Sequence, residues 1–136
     1  MNDLDLVYGV VERLARDGVH VWVFGGWAEQ LLGLAEPRRH LDVDLLYPAD
    51  SFDAVDALDL PWVSAKRFAH KRSFAHEDVL VELLLVQRDE DGHYTDFPGG
   101  RHRWPRDLLW GVHGLRVAGP NSVAGYRAAW SSLRAA

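Results

Sequence analysis

The run Val79-Leu80-Val81-Glu82-Leu83-Leu84-Leu85-Val86 limits the possible folds of this chain more than any other segment. Both faces of a strand built from it are apolar, so both must be covered. That is the position of an interior strand in a layered sheet rather than of a half-solvated edge. Glu82 breaks the run. A carboxylate placed there without a partner is costly to bury. It needs either a basic side chain, with Arg67 or Arg72 on the expected neighbouring strand as candidates, or a metal ion.

The remaining pattern supplies a sheet and its helices. Asn2 or Asp3 can cap a helix in which Leu4, Val7, Val10, Val11 and Leu14 recur at helical spacing up to Asp17-Gly18. Val19 to Phe24 is β-rich and stops at Gly25-Gly26. Trp27 to Leu34 predicts a short helix, Leu41 to Tyr47 an alternating strand closed by Pro48, and Ser51 to Leu58 another helix. Trp62-Val63 is a short strand candidate, and Arg67–Ala75 with Val79–Val86 predicts a hairpin turning near Glu77-Asp78. The stretch RDEDGHYTDFPGGRHRWP is polar and rich in glycine and proline, which predicts a long loop. Leu115 to Val117 is a last strand, and Asn121 or Ser122 caps a final helix running to Leu133. The order α-β-α-β-α-β-β-β-α predicts an α/β (α+β) domain over residues 1–136, a small mixed β-sheet flanked by helices.

Asp42 and Asp44 sit two residues apart in LDVDLLY, so a strand sends both carboxylates off the same face. Like charges that close are unfavourable unless a cation offsets them. Magnesium suits them, because it takes oxygen ligands and is often held by one or two carboxylates plus substrate phosphates. A solvated Asp-x-Asp face is the plain alternative. Gly25-Gly26, between strand and helix, can bring backbone N–H groups close to an anion, or can be an ordinary turn. The chain has no G-x-x-x-x-G-K-[ST] motif and no dinucleotide fingerprint. Arg38, Arg39 and His40 immediately precede the aspartate strand. Arginine there is suited to bidentate phosphate contacts.

Composition narrows the function classes. A net charge of −5 makes the chain a poor general binder of nucleic acid. It would suit a cationic small substrate or a site that gathers metal ions. The absence of cysteine excludes disulfides, thiolate metal sites and cysteine nucleophiles. The seven histidines show no zinc-ligand spacing. The N-terminus has no signal-peptide h-region, and no apolar run approaches the ~20 residues of a membrane span, so a cytoplasmic protein is expected. Among the tryptophans, Trp22 and Trp130 are expected in the core, while Trp104 and Trp110 are either core or pocket-lining.

The sequence Gly25-Gly26-Trp27-Ala28, followed by Arg38-Arg39-His40-Leu41-Asp42-Val43-Asp44-Leu45, resembles the nucleotidyltransferase superfamily that includes DNA polymerase beta. Within it, the likeness is to the aminoglycoside and lincosamide nucleotidyltransferases. The resemblance implies transfer of a nucleoside monophosphate from a nucleoside triphosphate to a hydroxyl of a small molecule, antibiotics included. It implies that Asp42, Asp44 and Glu82 hold Mg2+ and do the chemistry, and that Gly25, Gly26, Arg38, Arg39 and His40 contact the triphosphate. Glu82 stands where the family usually has an aspartate. The larger C-terminal helical part of many relatives is missing from this sequence. The acceptor side is then expected from the loop Asp89–Trp104 or from a second copy of the chain in a homodimer. Two other functions suit the same pattern. One is a catalytically silent domain acting as a binding or regulatory partner, and the other is a toxin-type enzyme modifying protein or RNA.

Overall fold

The computed structural model describes residues 2–135. Helix α1 spans Leu4–Arg16, and the carboxylate of Asp3 caps it by accepting from the Leu6 N–H at 2.9 Å. Asn2, the other predicted cap, has a different task. Its amide donates to the carbonyls of His40 and Asp42 and accepts from Trp27 Nε1, which ties the start of the chain to the aspartate strand. Leu6, Val7, Val10 and Leu14 form the buried stripe of α1 that the 3.6-residue period requires.

Strand β1 (Trp22–Phe24) leads directly into helix α2 (Gly25–Leu31). Strand β2 (Asp42–Pro48) follows, then a single turn α3 (Asp53–Asp56). A 3-10 turn at Ser64–Lys66 precedes β3 (Lys71–His76), which pairs antiparallel with β4 (Val79–Asp89). The turn between β3 and β4 is the predicted one, with Glu77 and Asp78 both at positive φ. This is the backbone twist a two-residue hairpin favours.

The predicted long loop is in fact a β-ribbon. β5 (Gly92–Phe97) and β6 (Gly100–Arg103) pair antiparallel, and β5 extends the sheet from residues Gln87–Asp89 of β4. Turn-forming residues at both of its ends hide a short alternation in which Thr95 and Phe97 point inward and are buried. The Thr95 hydroxyl donates to the Leu85 carbonyl at 2.6 Å, and Trp104 Nε1 donates to Thr95 Oγ1 at 2.9 Å. Strand β7 (Trp110–Val112), absent from the predicted order, forms a hairpin with β8 (Leu115–Val117) through His113-Gly114, both at positive φ.

The sheet runs β6-β5-β4-β2-β1-β8-β7, with β3 also paired to β4. β4 is therefore interior, as its composition demands. β2 and β4 are parallel, β1 and β2 antiparallel, so the sheet is mixed. Helix α4 (Pro120–Leu133) closes the fold. Its N-cap is Gly119 rather than Asn121 or Ser122. The capping carboxylate comes from a distance, because Asp107 accepts from Asn121 N–H (2.7 Å), Ser122 N–H (3.0 Å) and Ser122 Oγ (2.7 Å). The buried apolar residues of all these elements form one cluster. Among the described residues, no helix is long and apolar enough to cross a membrane.

Candidate active site

The β2–β4 register creates the centre. Asp44 is the parallel partner of Glu82, so their side chains leave the same face of the sheet, with Asp42 two residues away on that face. One carboxylate oxygen from each of Asp42, Asp44 and Glu82 lies within 4.8 Å of the others. The sequence brought these three together only by analogy. In the structure the register does so.

Glu82 has basic partners, but neither is one of the predicted arginines. Lys71 Nζ lies 3.4 Å from Glu82 Oε2 and Lys66 Nζ 3.6 Å from Oε1. Arg72 pairs with Leu83 rather than Glu82, so its side chain belongs to the opposite face. There it meets Asp56 at 2.8 Å, joined by Arg67 at 3.1 Å. Lys71 and Ser73 share the face of Glu82.

The lysines do not fully offset three acids. Desolvation, then the charges of Asp42 and Glu82 and a hydrogen bond with Glu82, push the Asp44 carboxyl up to about 8. Asp42 is raised too, by desolvation and then by Glu82, although Lys66 and Lys71 pull the other way. The donors are all oxygens and carry uncompensated negative charge, so these residues fit a hard divalent cation such as magnesium.

The glycine pair is fitted to this centre. Gly25 has φ +61°, and a Cβ there would fall on the Asp44 carboxylate. A Cβ on Gly26 would lie 2.6 Å from Arg38 Nη2 and 3.0 Å from His40 Nδ1. His40 itself is buried. It stacks on Trp27 at 4.2 Å, and its Nε2 bonds Gln30 Oε1 at 2.7 Å. Burial and the neighbouring Arg38 lower its pKa. Arg38 and Arg39 are exposed. Gly25, Gly26, Asp42, Asp44 and Glu82 line one cleft of about 390 Å³, while Arg38, Arg39 and His40 stand outside that lining.

The opposite wall comes from α4, through Val123, Tyr126, Arg127 and Trp130, with Phe24 and Leu84 adding apolar surface. Trp130, expected in the core, is 40% exposed. Trp104 is buried behind this wall, stacked on Tyr126 at 5.8 Å, and Trp110 is half-exposed on β7 away from the cleft. Glu29, Lys71 and Arg127 also line the cleft without having been anticipated. The i, i+4 pair Tyr126 and Trp130 on one helix face was the available signal for the wall. The expectation of Trp130 in the core passed over it.

The family model of aminoglycoside-2''-adenylyltransferase matches residues 6–108. No curated protein matches the chain. Several solved structures share the fold. The lincosamide antibiotic adenylyltransferase LnuA, lincomycin-bound, aligns with a TM-score of 0.72 at 14% identity over 94% of this chain and 87% of its own. ANT(2'')-Ia in complex with adenylyl-2''-tobramycin gives 0.62 at 14% identity, over 93% and 76%. A putative nucleotidyltransferase from Thermotoga maritima gives 0.57 at 17% identity, over 94% and 84%. The matched residues run from α1 to just short of β7 and contain the glycine pair and all three acids, so the chain belongs to the aminoglycoside-2''-adenylyltransferase family and is a nucleotidyltransferase.

Proposed function

We propose that this protein transfers a nucleoside monophosphate from a nucleoside triphosphate to a hydroxyl of a small antibiotic of the aminoglycoside or lincosamide kind, with magnesium held by Asp42, Asp44 and Glu82. The observation that carries the reading is the convergence of those three carboxylates beside a glycine that only a missing side chain permits. The family match supports the reaction class. The tobramycin adduct and the lincomycin bound by the structural neighbours support the acceptor class.

The chemistry a bound magnesium supplies is charge neutralisation on the triphosphate and activation of the attacking hydroxyl. The chain's own groups do the rest. Gly25 and Gly26 leave space for phosphate oxygens beside Asp44. The acceptor oxygen forms a bond to the α-phosphorus, the bond to the bridging oxygen breaks, and pyrophosphate leaves. Glu82, steadied by Lys66 and Lys71, accepts the acceptor's proton. Tyr126 and Trp130 offer flat apolar surface for a ring.

The test is transfer of label from each of the four common triphosphates to tobramycin and lincomycin in magnesium. Product is expected with wild type and lost, on the order of 100-fold or more, in Asp42→Asn and Asp44→Asn. Absence of product with every donor and acceptor, or equal turnover by the variants, would sink the proposal and favour a binding domain.

A further inference from the structure

We propose that Arg127 of α4 joins Arg38, which the family resemblance already places on the triphosphate, in a clamp for the outer phosphates, and that Glu29 of α2 is the positioning residue that sets both. The inference rests on the nucleotide-transfer reading and extends it to groups beyond the acidic floor.

Glu29 is only 9% exposed, low for a glutamate. Its Oε1 accepts from Arg127 Nη2 at 2.5 Å and lies 3.7 Å from Arg38 Nη2. The two arginines come from segments far apart in the sequence and meet on one carboxylate. A structural tie between α2 and α4 needs one arginine. A second leaves positive charge in surplus. Each guanidinium carries five N–H donors in a planar fork, and Glu29 engages only a part of them. The side chains are 68% and 46% exposed, so free donors face the solvent, Arg127 in the cleft lining and Arg38 just outside it beside Gly26.

The placement matches the ligand. Glu29 and Arg127 line the cleft together with Gly25 and Gly26, and Arg38 reaches Glu29 across the position where Gly26 has no Cβ. The three acids form the floor, and the surplus cations stand at the rim. A polyphosphate bound over the floor needs positive charge for the end that the floor does not reach. Arginine forks match phosphate oxygens two at a time.

Inorganic tripolyphosphate, titrated calorimetrically into the full chain in magnesium, probes the clamp without a base or an acceptor. Wild type is expected to bind. Arg127→Ala should weaken binding ~10-fold or more, as loss of a charge-assisted contact implies. Arg127→Lys, a point charge without the fork, should fall between. Glu29→Gln should raise KM for the triphosphate several-fold with kcat within about 2-fold. A merely structural tie would instead lower Tm and leave KM unchanged. Wild-type affinity in Arg127→Ala, or in Arg127→Lys should the alanine variant not fold, overturns the clamp, as does a wild type that ignores tripolyphosphate. Weaker tripolyphosphate binding by Arg127→Ala in a protein that transfers nothing would keep the clamp and remove the transferase reading. Transfer with KM unmoved in Arg127→Ala would do the reverse.

Discussion

Asp44→Asn should stabilise the metal-free protein and remove its response to magnesium, so one substitution has two opposite signs. In the protein alone the Asp44 carboxyl sits at about 8 against an ordinary 3.8. A carboxyl raised in this way binds more protons folded than unfolded. Its contribution to stability is complete below pH 3.8 and is lost as pH rises through about 8. At about 1.36 kcal/mol per pH unit, the whole span amounts to about 6 kcal/mol. Asp44 is only partly shielded from solvent, and it shares its titration with Asp42 and Glu82. We therefore take about half, 2–3 kcal/mol. Asparagine keeps the shape and cannot ionise. In EDTA, Asp44→Asn should melt roughly 6–10 °C above wild type near pH 9 and together with it near pH 4. In millimolar magnesium with a triphosphate the wild type should gain about 1–3 kcal/mol by mass action, and the variant almost nothing. Calorimetric or fluorescence melting over that pH range, with and without metal, measures both signs. Parallel pH profiles in EDTA, or equal responses to magnesium, would refute the reasoning.

Three further outcomes follow from the geometry. Asp107→Ala removes three hydrogen bonds from the start of α4 and should cost about 2 kcal/mol in urea unfolding, with Asp107→Asn in between. Gly25→Ala combines a left-handed backbone with a Cβ on the Asp44 carboxylate, so turnover should fall on the order of 100-fold while circular dichroism stays native. Asp56 is held below the usual carboxylate range chiefly by its hydrogen bond from Arg72. Its contribution is present above pH 3.8 and lost as pH falls through its lowered folded-state value, so Asp56→Asn should cost about 1 kcal/mol near pH 7 and progressively less as pH falls below 3.8.

The interior position of β4, the hairpin at Glu77-Asp78 and the shared face of Asp42 and Asp44 were legible because each rests on local periodicity. The meeting of Asp44 with Glu82 was not, since a parallel pairing across 38 residues leaves no mark on either segment. The partner of Glu82 was misassigned for a related reason. Arg72 and Lys71 are adjacent in sequence, and only the register tells which of them shares the face of Glu82. The β5–β6 ribbon was lost to composition. Glycine, proline and aspartate at its turns outweighed a buried Thr95 and Phe97. Trp130 on the α4 wall was expected in the core because an apolar helix stripe looks the same whether protein or a ligand covers it.

The remote cap on α4 has a consequence for how such an enzyme changes over generations. Tyr126, Arg127 and Trp130 hang from a helix whose first turn is held by Asp107 of the β6–β7 connection, through its carboxylate and through its carbonyl, which accepts from the Gly119 N–H. A substitution at Asp107 therefore acts first on this wall, while the three acids sit on β2 and β4 and are held by the pairing of those strands. The apolar wall and the acidic floor thus rest on separate supports, and Asp107 is a point through which the wall can vary without disturbing the floor.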